Sequence, residues 1–197
     1  MRTDLVKRLV LDGILAALFI VISLFRLKLG FLEFGLTSLV TLLACFLLSP
    51  LDGMAVGLLG EFINQVFFSG YGLTPTTPLW VLPHALRPLL IGLIAYLFRK
   101  NGKPFVRYCP TYFISLCGVA LIISGLDTFI IWLDGFIFGY STVSVLLNSG
   151  FRILSSQGSA IAVGLILVPL YKVLSTLYPK QGKEAETEAK EESKFGQ

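Results

Sequence analysis

Residues 80–98 read WVLPHALRPLLIGLIAYLF, apolar from end to end except for His84 and Arg87. A helix of this length runs about 28 Å at 1.5 Å per residue, close to the thickness of a bilayer's hydrocarbon core. The run is apolar on every side, so no face is set aside for water. Its two prolines differ in consequence. Pro83 lies near the start, where a missing N–H matters little, whereas Pro88 lies in the interior. There it frees the carbonyl four residues earlier, at His84, and bends the helix beside Arg87. An arginine inside such a run is costly and needs a reason.

The whole chain agrees with this stretch. It has 197 residues, 55% of them hydrophobic and 14% charged, with a mean hydropathy of +0.80. Soluble domains carry about 25% charged residues. Further apolar runs occupy residues 9–25, 34–48, 54–68, 112–133 and 153–177. With residues 80–98 they make six spans. Backbone groups in hydrocarbon must bond within their own segment or in a closed barrel. The runs lack the period-two alternation of a barrel. The expected fold is all-α: a multi-pass bundle of six transmembrane helices over residues 1–180, followed by a polar, disordered tail at 181–197. Basic residues ahead of an apolar core also open a signal peptide. The first run is long for that and no small-residue cleavage site follows, so it is expected to remain as the first span.

Lysine and arginine set the orientation. Arg2, Lys7 and Arg8 precede the first span, Arg99, Lys100, Lys103 and Arg107 follow the fourth, and Lys172 and Lys180 close the sixth. With six spans these clusters share one side, expected to be the cytoplasm, so both termini are cytoplasmic. The other side keeps Arg26 and Lys28 and has no basic residue in the loop 69–79. The net charge of +4 is thus a topology signal, and nothing in its placement suggests nucleic acid.

The candidate site lies toward the side opposite the termini. Arg87 falls about 10 Å below that end of the fourth span, Asp127 near that end of the fifth, and Arg152 at the start of the sixth. Two readings stand together. Guanidiniums hold carboxylates through paired charge-assisted hydrogen bonds, so the arginines suit an anionic ligand. The same arginines equally suit pairing with Asp127 and Glu61 to join helices. The outer loop around Tyr71 and Thr74 carries Gly70, Gly72, Pro75 and Pro78, and suits a lid. Tyr71 and Trp80 suit stacking on a ring or an interfacial belt. His84 completes the set, as a hydrogen-bonding packing residue or as part of the site.

Other chemistry is absent from the sequence. Cys45, Cys109 and Cys117 have no metal-ligand spacing, and His84 is the lone histidine, so no metal or cofactor is expected. No phosphate-binding loop, nucleophile elbow or H-E-x-x-H occurs, and the chain is expected not to be an enzyme. Gly13 and Ala17, four apart in the first span, allow another helix to approach closely. Glu61 lies mid-span beside Asn64 and Gln65, a pattern of helix-to-helix hydrogen bonding or of a proton-coupling carboxylate.

Together these residues resemble a family. The stretch Gly13-Ile14-Leu15-Ala16-Ala17, the hairpin from Phe34 through Ser49-Pro50-Leu51-Asp52-Gly53, the Pro/Thr-rich outer loop between the third and fourth spans before a Pro-containing helix, and Arg152 opening a last helix that carries Pro169 are similar to the substrate-binding S components of energy-coupling factor (ECF) transporters. The pattern looks most like the folate-type branch, with Ser49 where that hairpin often has glycine. The resemblance implies a vitamin importer in the cell membrane. It captures a folate-like molecule, or pantothenate next, from outside between helices four to six. A membrane-embedded coupling protein and two ATPase subunits would drive delivery. The resemblance places Arg87, Arg152, Trp80 and Asp127 in the pocket and Gly13 and Ala17 against the coupling protein. The alternative is an autonomous ion- or proton-coupled transporter using Glu61.

Overall fold

The apolar runs become helices, and their charges decide how the helices meet. The structure, a computed structural model, describes residues 2–25, 27–29, 32–68, 74–100, 105–106, 110–139 and 141–177. Its elements are α1 (Arg2–Leu24), β1 (Leu27–Leu29), β2 (Leu32–Phe34), α2 (Thr37–Leu47), α3 (Pro50–Phe67), α4 (Thr77–Lys100), α5 (Pro110–Phe138) and α6 (Thr142–Leu177). Among the described residues six helices form the bundle, as the runs imply. Among the described residues, Thr77–Phe98, Pro110–Phe138 and Thr142–Leu174 are long and apolar enough to cross a bilayer by length and composition. Helix α2, with 11 residues, is too short to cross a full hydrocarbon core alone.

Several helix boundaries differ from the apolar runs, two of them for a visible local reason. The second helix starts at Thr37 rather than at residue 34, because Leu32–Phe34 pairs antiparallel with Leu27–Leu29, with Lys28 opposite Glu33. This small hairpin follows α1, and its second strand lies against α6. The sixth helix begins at Thr142 rather than at residue 153. Its polar first turns are helical because Ser141 caps them: the Ser144 amide donates to Ser141 Oγ at 3.2 Å, and the Val145 amide to the Ser141 carbonyl at 3.1 Å. Between α5 and α6 the chain reverses at Gly139, whose φ of 73° favours glycine.

The core is aliphatic and aromatic, with Phe19, Val40, Leu42, Ile91, Tyr112, Ile123 and Leu167 almost fully enclosed. Exposed large apolar side chains occur along every long helix, from Leu9 and Ile14 to Leu165 and Val173. In water such a surface would aggregate; in lipid it is the solvated face. Helices α3 and α4 approach unusually closely. A Cβ on Gly57 would stand 2.5 Å from the His84 carbonyl oxygen. That carbonyl is the one Pro88 leaves without its helical donor. A side-chain-free Gly57 lets the α3 backbone cover it. The Pro88 carbonyl in turn accepts from Cys45 Sγ at 3.3 Å, so the kink of α4 is sealed by α2 and α3. Cys45 is buried and both it and Cys117 are free thiols; Cys109 lies outside the described residues.

Near the termini a polar clamp ties α1 to the α2–α3 turn. Arg8 Nε donates to Asp52 Oδ2 at 2.9 Å, and its Nη2 to Ser49 Oγ at 2.8 Å and Asp52 Oδ2 at 2.6 Å. Ser49, the departure from glycine, also caps α3 by accepting from the Asp52 amide. The tail 181–197 lies outside the described residues.

Candidate functional site

Heptad spacing assembles the site. On α4, Trp80 and Arg87 are seven residues apart; on α5, so are Ala120, Asp127 and Asp134. Seven residues are nearly two turns, so each set lies along one face. On α6, Arg152, Ser156 and Ala160 recur every four residues. These three faces meet.

Their floor is a cavity of about 10 Å³ lined by Ser38 and Leu42 of α2, Arg87 and Ile91 of α4, Leu116 and Ala120 of α5, and Ala160 and Val163 of α6. That is room for about one water. Arg87 supplies the only charge in this lining, and its buried Nε has no hydrogen-bond partner among the described residues. Above the cavity, Asp127 stands on the α5 face that carries the cavity-lining Ala120, seven residues nearer the mouth. At the mouth, the Trp80 indole N–H donates to Asp134 Oδ2 at 2.9 Å, and the Arg152 guanidinium carbon stands 4.8 Å from the Trp80 ring centroid. One contact is a hydrogen bond, the other a cation–π interaction, and together they link α4, α5 and α6.

The sequence candidates thus separate into groups. Trp80, Arg87, Asp127 and Arg152 come together. Neither arginine closes an ion pair with Asp127 or Glu61 among the described residues: Arg152 stacks on Trp80, and Glu61 has other partners. Glu61 accepts from Gln65 Nε2 at 2.7 Å and faces His84 Nε2 at 3.7 Å. Asn64, beside it, accepts from Ser23 Oγ at 3.1 Å. His84 also meets the Phe19 ring edge-on at 5.7 Å. It therefore stands on the α1–α3 side of α4, in a network joining three helices. The Thr74 hydroxyl is engaged with Thr76 and Thr77, at 3.2 and 3.0 Å, in the turn that starts α4. Tyr71 lies outside the described residues.

Gly13 and Ala17 are exposed, and a Cβ on Gly13 would meet nothing within 4 Å, whereas Leu15, Ala16 and Phe19 face the core. The small pair therefore faces outward. Asp134 and Gln157 were not read as site residues. Asp134 was findable as Asp127 plus seven; Gln157, one turn before the cavity-lining Ala160, as that residue minus three. Among the described residues, no group of three or more His, Cys, Asp or Glu has the arrangement to hold a metal ion.

This six-helix arrangement, with a mouth built by α4, α5 and α6, is the fold of ECF transporter S components. Solved structures that share it include two S components. One, described as the S component of a bacterial ECF transporter, has a TM-score of 0.61 at 19% identity, covering 87% of this chain and 97% of that one. The other, an S component for biotin from an ECF-type ABC transporter, has a TM-score of 0.59 at 20% identity, covering 87% and 94%. No curated protein matches the chain. A family model described as "ECF-type riboflavin transporter, S component" matches residues 4–176, and the chain belongs to that family. It is a multi-pass membrane transport protein.

Proposed function

We propose that the protein captures riboflavin, or a closely related flavin, from outside the cell and delivers it inward with a partner ATPase module. The family match carries the choice of ligand. It moves the first choice away from a folate-like dicarboxylate and from pantothenate. The side chains suit the change. Riboflavin has no carboxylate, and one unpaired guanidinium donor over a largely apolar floor suits a carbonyl-bearing ring as well as an anion. The aromatic face of Trp80 suits ring stacking.

Entry requires movement. A bound small molecule fills roughly 300 Å³ or more, so the cavity beside Arg87 serves as the floor of the site. The Arg152–Trp80–Asp134 chain above it parts to admit the ring. Both termini lie in the cytoplasm in this reading, which puts the Arg8–Asp52 clamp inside and Trp80 outside. The outward pair Gly13 and Ala17 meets the coupling protein, while ATP is hydrolysed in separate subunits.

The test is a titration of the purified protein in detergent with riboflavin, folate, pantothenate and biotin, read by calorimetry. Saturable binding of riboflavin above the other three is expected. Tight binding of another member of the panel with none of riboflavin would overturn the ligand assignment.

A further inference from the structure

Four buried side-chain atoms have no hydrogen-bond partner among the described residues. Three of them belong to the facing helices: Arg87 Nε on α4, Asp134 Oδ1 on α5 and Gln157 Nε2 on α6. The fourth, Asp12 Oδ1, is on α1, one turn beyond Arg8. Leaving one buried polar group unbonded costs about 1–3 kcal/mol, so three on the helices that border one groove point to something else that completes them. Two of the three are donors and one is an acceptor, since the other Asp134 oxygen already accepts from Trp80.

Their heights along the groove differ. Asp134 is level with Trp80 through their hydrogen bond. Arg87 is seven residues further along α4, about 10 Å deeper. Gln157 is five residues along α6 from Arg152, which stands over Trp80, and three before Ala160, which lines the Arg87 cavity. It therefore sits between, nearer to Arg87. The donors lie deep among apolar walls, and the acceptor lies at the mouth.

Resting on the flavin reading above, we infer that Arg87 and Gln157 donate to carbonyl oxygens of the ligand's ring, and that Asp134, held in place by Trp80, accepts from a hydroxyl of its side chain. The ring then enters first and the hydroxylated chain stays at the mouth. Asp134 selects for the chain and Gln157 for the ring.

Lumiflavin has the same ring as riboflavin with a methyl group in place of the sugar-alcohol chain, so it separates the two roles. Wild type, Asp134→Ala and Gln157→Met are titrated with both flavins by fluorescence quenching. Asp134→Ala is expected to weaken riboflavin about tenfold more than lumiflavin, because it removes the acceptor for the chain hydroxyl as well as the Trp80 hydrogen bond that serves both flavins. Its retained lumiflavin binding also reports an intact fold. Gln157→Met is expected to weaken both about tenfold. Equal effects of Asp134→Ala on the two flavins, or none of Gln157→Met on either, overturn the assignment while leaving riboflavin as the ligand. Wild type that binds neither flavin overturns the ligand reading itself, and this assignment with it. Riboflavin with thiocarbonyls in place of its ring carbonyls, tested on wild type, decides the ring half without mutation: weaker binding supports it and equal binding overturns it.

Discussion

Trp80 and Asp134, fifty-four positions apart in sequence, are joined by an indole hydrogen bond of 2.9 Å at the mouth of the α4–α5–α6 groove. The Arg152 guanidinium lies over the same ring. Three helices are thereby fastened through one side chain.

Trp80 has two separable contributions. Trp80→Phe keeps an aromatic face for Arg152 and loses the N–H donor, at a cost of about 1 kcal/mol. Trp80→Ala loses both, adding about 0.5–1 kcal/mol for the cation–π contact and further loss of apolar packing. Thermal unfolding in detergent is expected to rank wild type above Phe above Ala, and riboflavin affinity to fall in the same order. Equal behaviour of the Phe and Ala variants would remove the stack from the account.

Arg87 carries cost for the fold and benefit for binding. A buried charge with no ion-pair partner is costly to keep, because nothing offsets its desolvation. Arg87→Met is therefore expected to melt at the wild-type temperature or above it, yet to bind riboflavin at least about tenfold more weakly. A variant that is less stable and binds normally would make Arg87 a structural residue.

The glycines divide by what surrounds them. Gly57→Ala forces a methyl group against the His84 carbonyl and is expected to destabilise by about 1–3 kcal/mol, measured by thermal unfolding. Gly13→Leu meets open space. It is expected to leave unfolding and riboflavin binding unchanged and to abolish uptake by cells that also express the ATPase module. Loss of binding along with uptake would place Gly13 in the fold rather than at a partner surface.

The clamp at the other end is an ion pair with one half-exposed partner: Arg8 is 46% accessible and Asp52 11%. Solvent limits its worth, so Arg8→Ala is expected to cost about 1 kcal/mol. In a double-mutant cycle with Asp52→Ala, the second substitution adds less than it costs alone. Strict additivity in unfolding experiments would show that the pair contributes nothing.

The bundle was legible wherever hydrophobicity alone decides. The uninterrupted run at 80–98 and its counterparts in α5 and α6 have no other stable environment than lipid, and Ser49-Pro50 announces its turn locally. The boundaries that shifted were set by local chemistry that hydropathy ignores. Ser141 caps polar turns into α6, and the alternation at 27–34 pairs into strands. In the site, charges standing alone in apolar runs identified Arg87 and Asp127. Their partners were less readable. Glu61 faces His84 of a neighbouring helix and accepts from Gln65 of its own, a choice made by helix rotation that no spacing in one segment encodes. Gln157 looks like any polar residue at the start of an apolar run until α6 is seen to extend back to Thr142 and to bury its side chain.

A crystal structure of the protein grown with riboflavin addresses the ligand's place most directly. Ring density is expected in the groove between α4, α5 and α6, within hydrogen-bond distance of Arg87 and beneath Trp80. Ring density on another face of the bundle, or an unoccupied groove under saturating riboflavin, would contradict it.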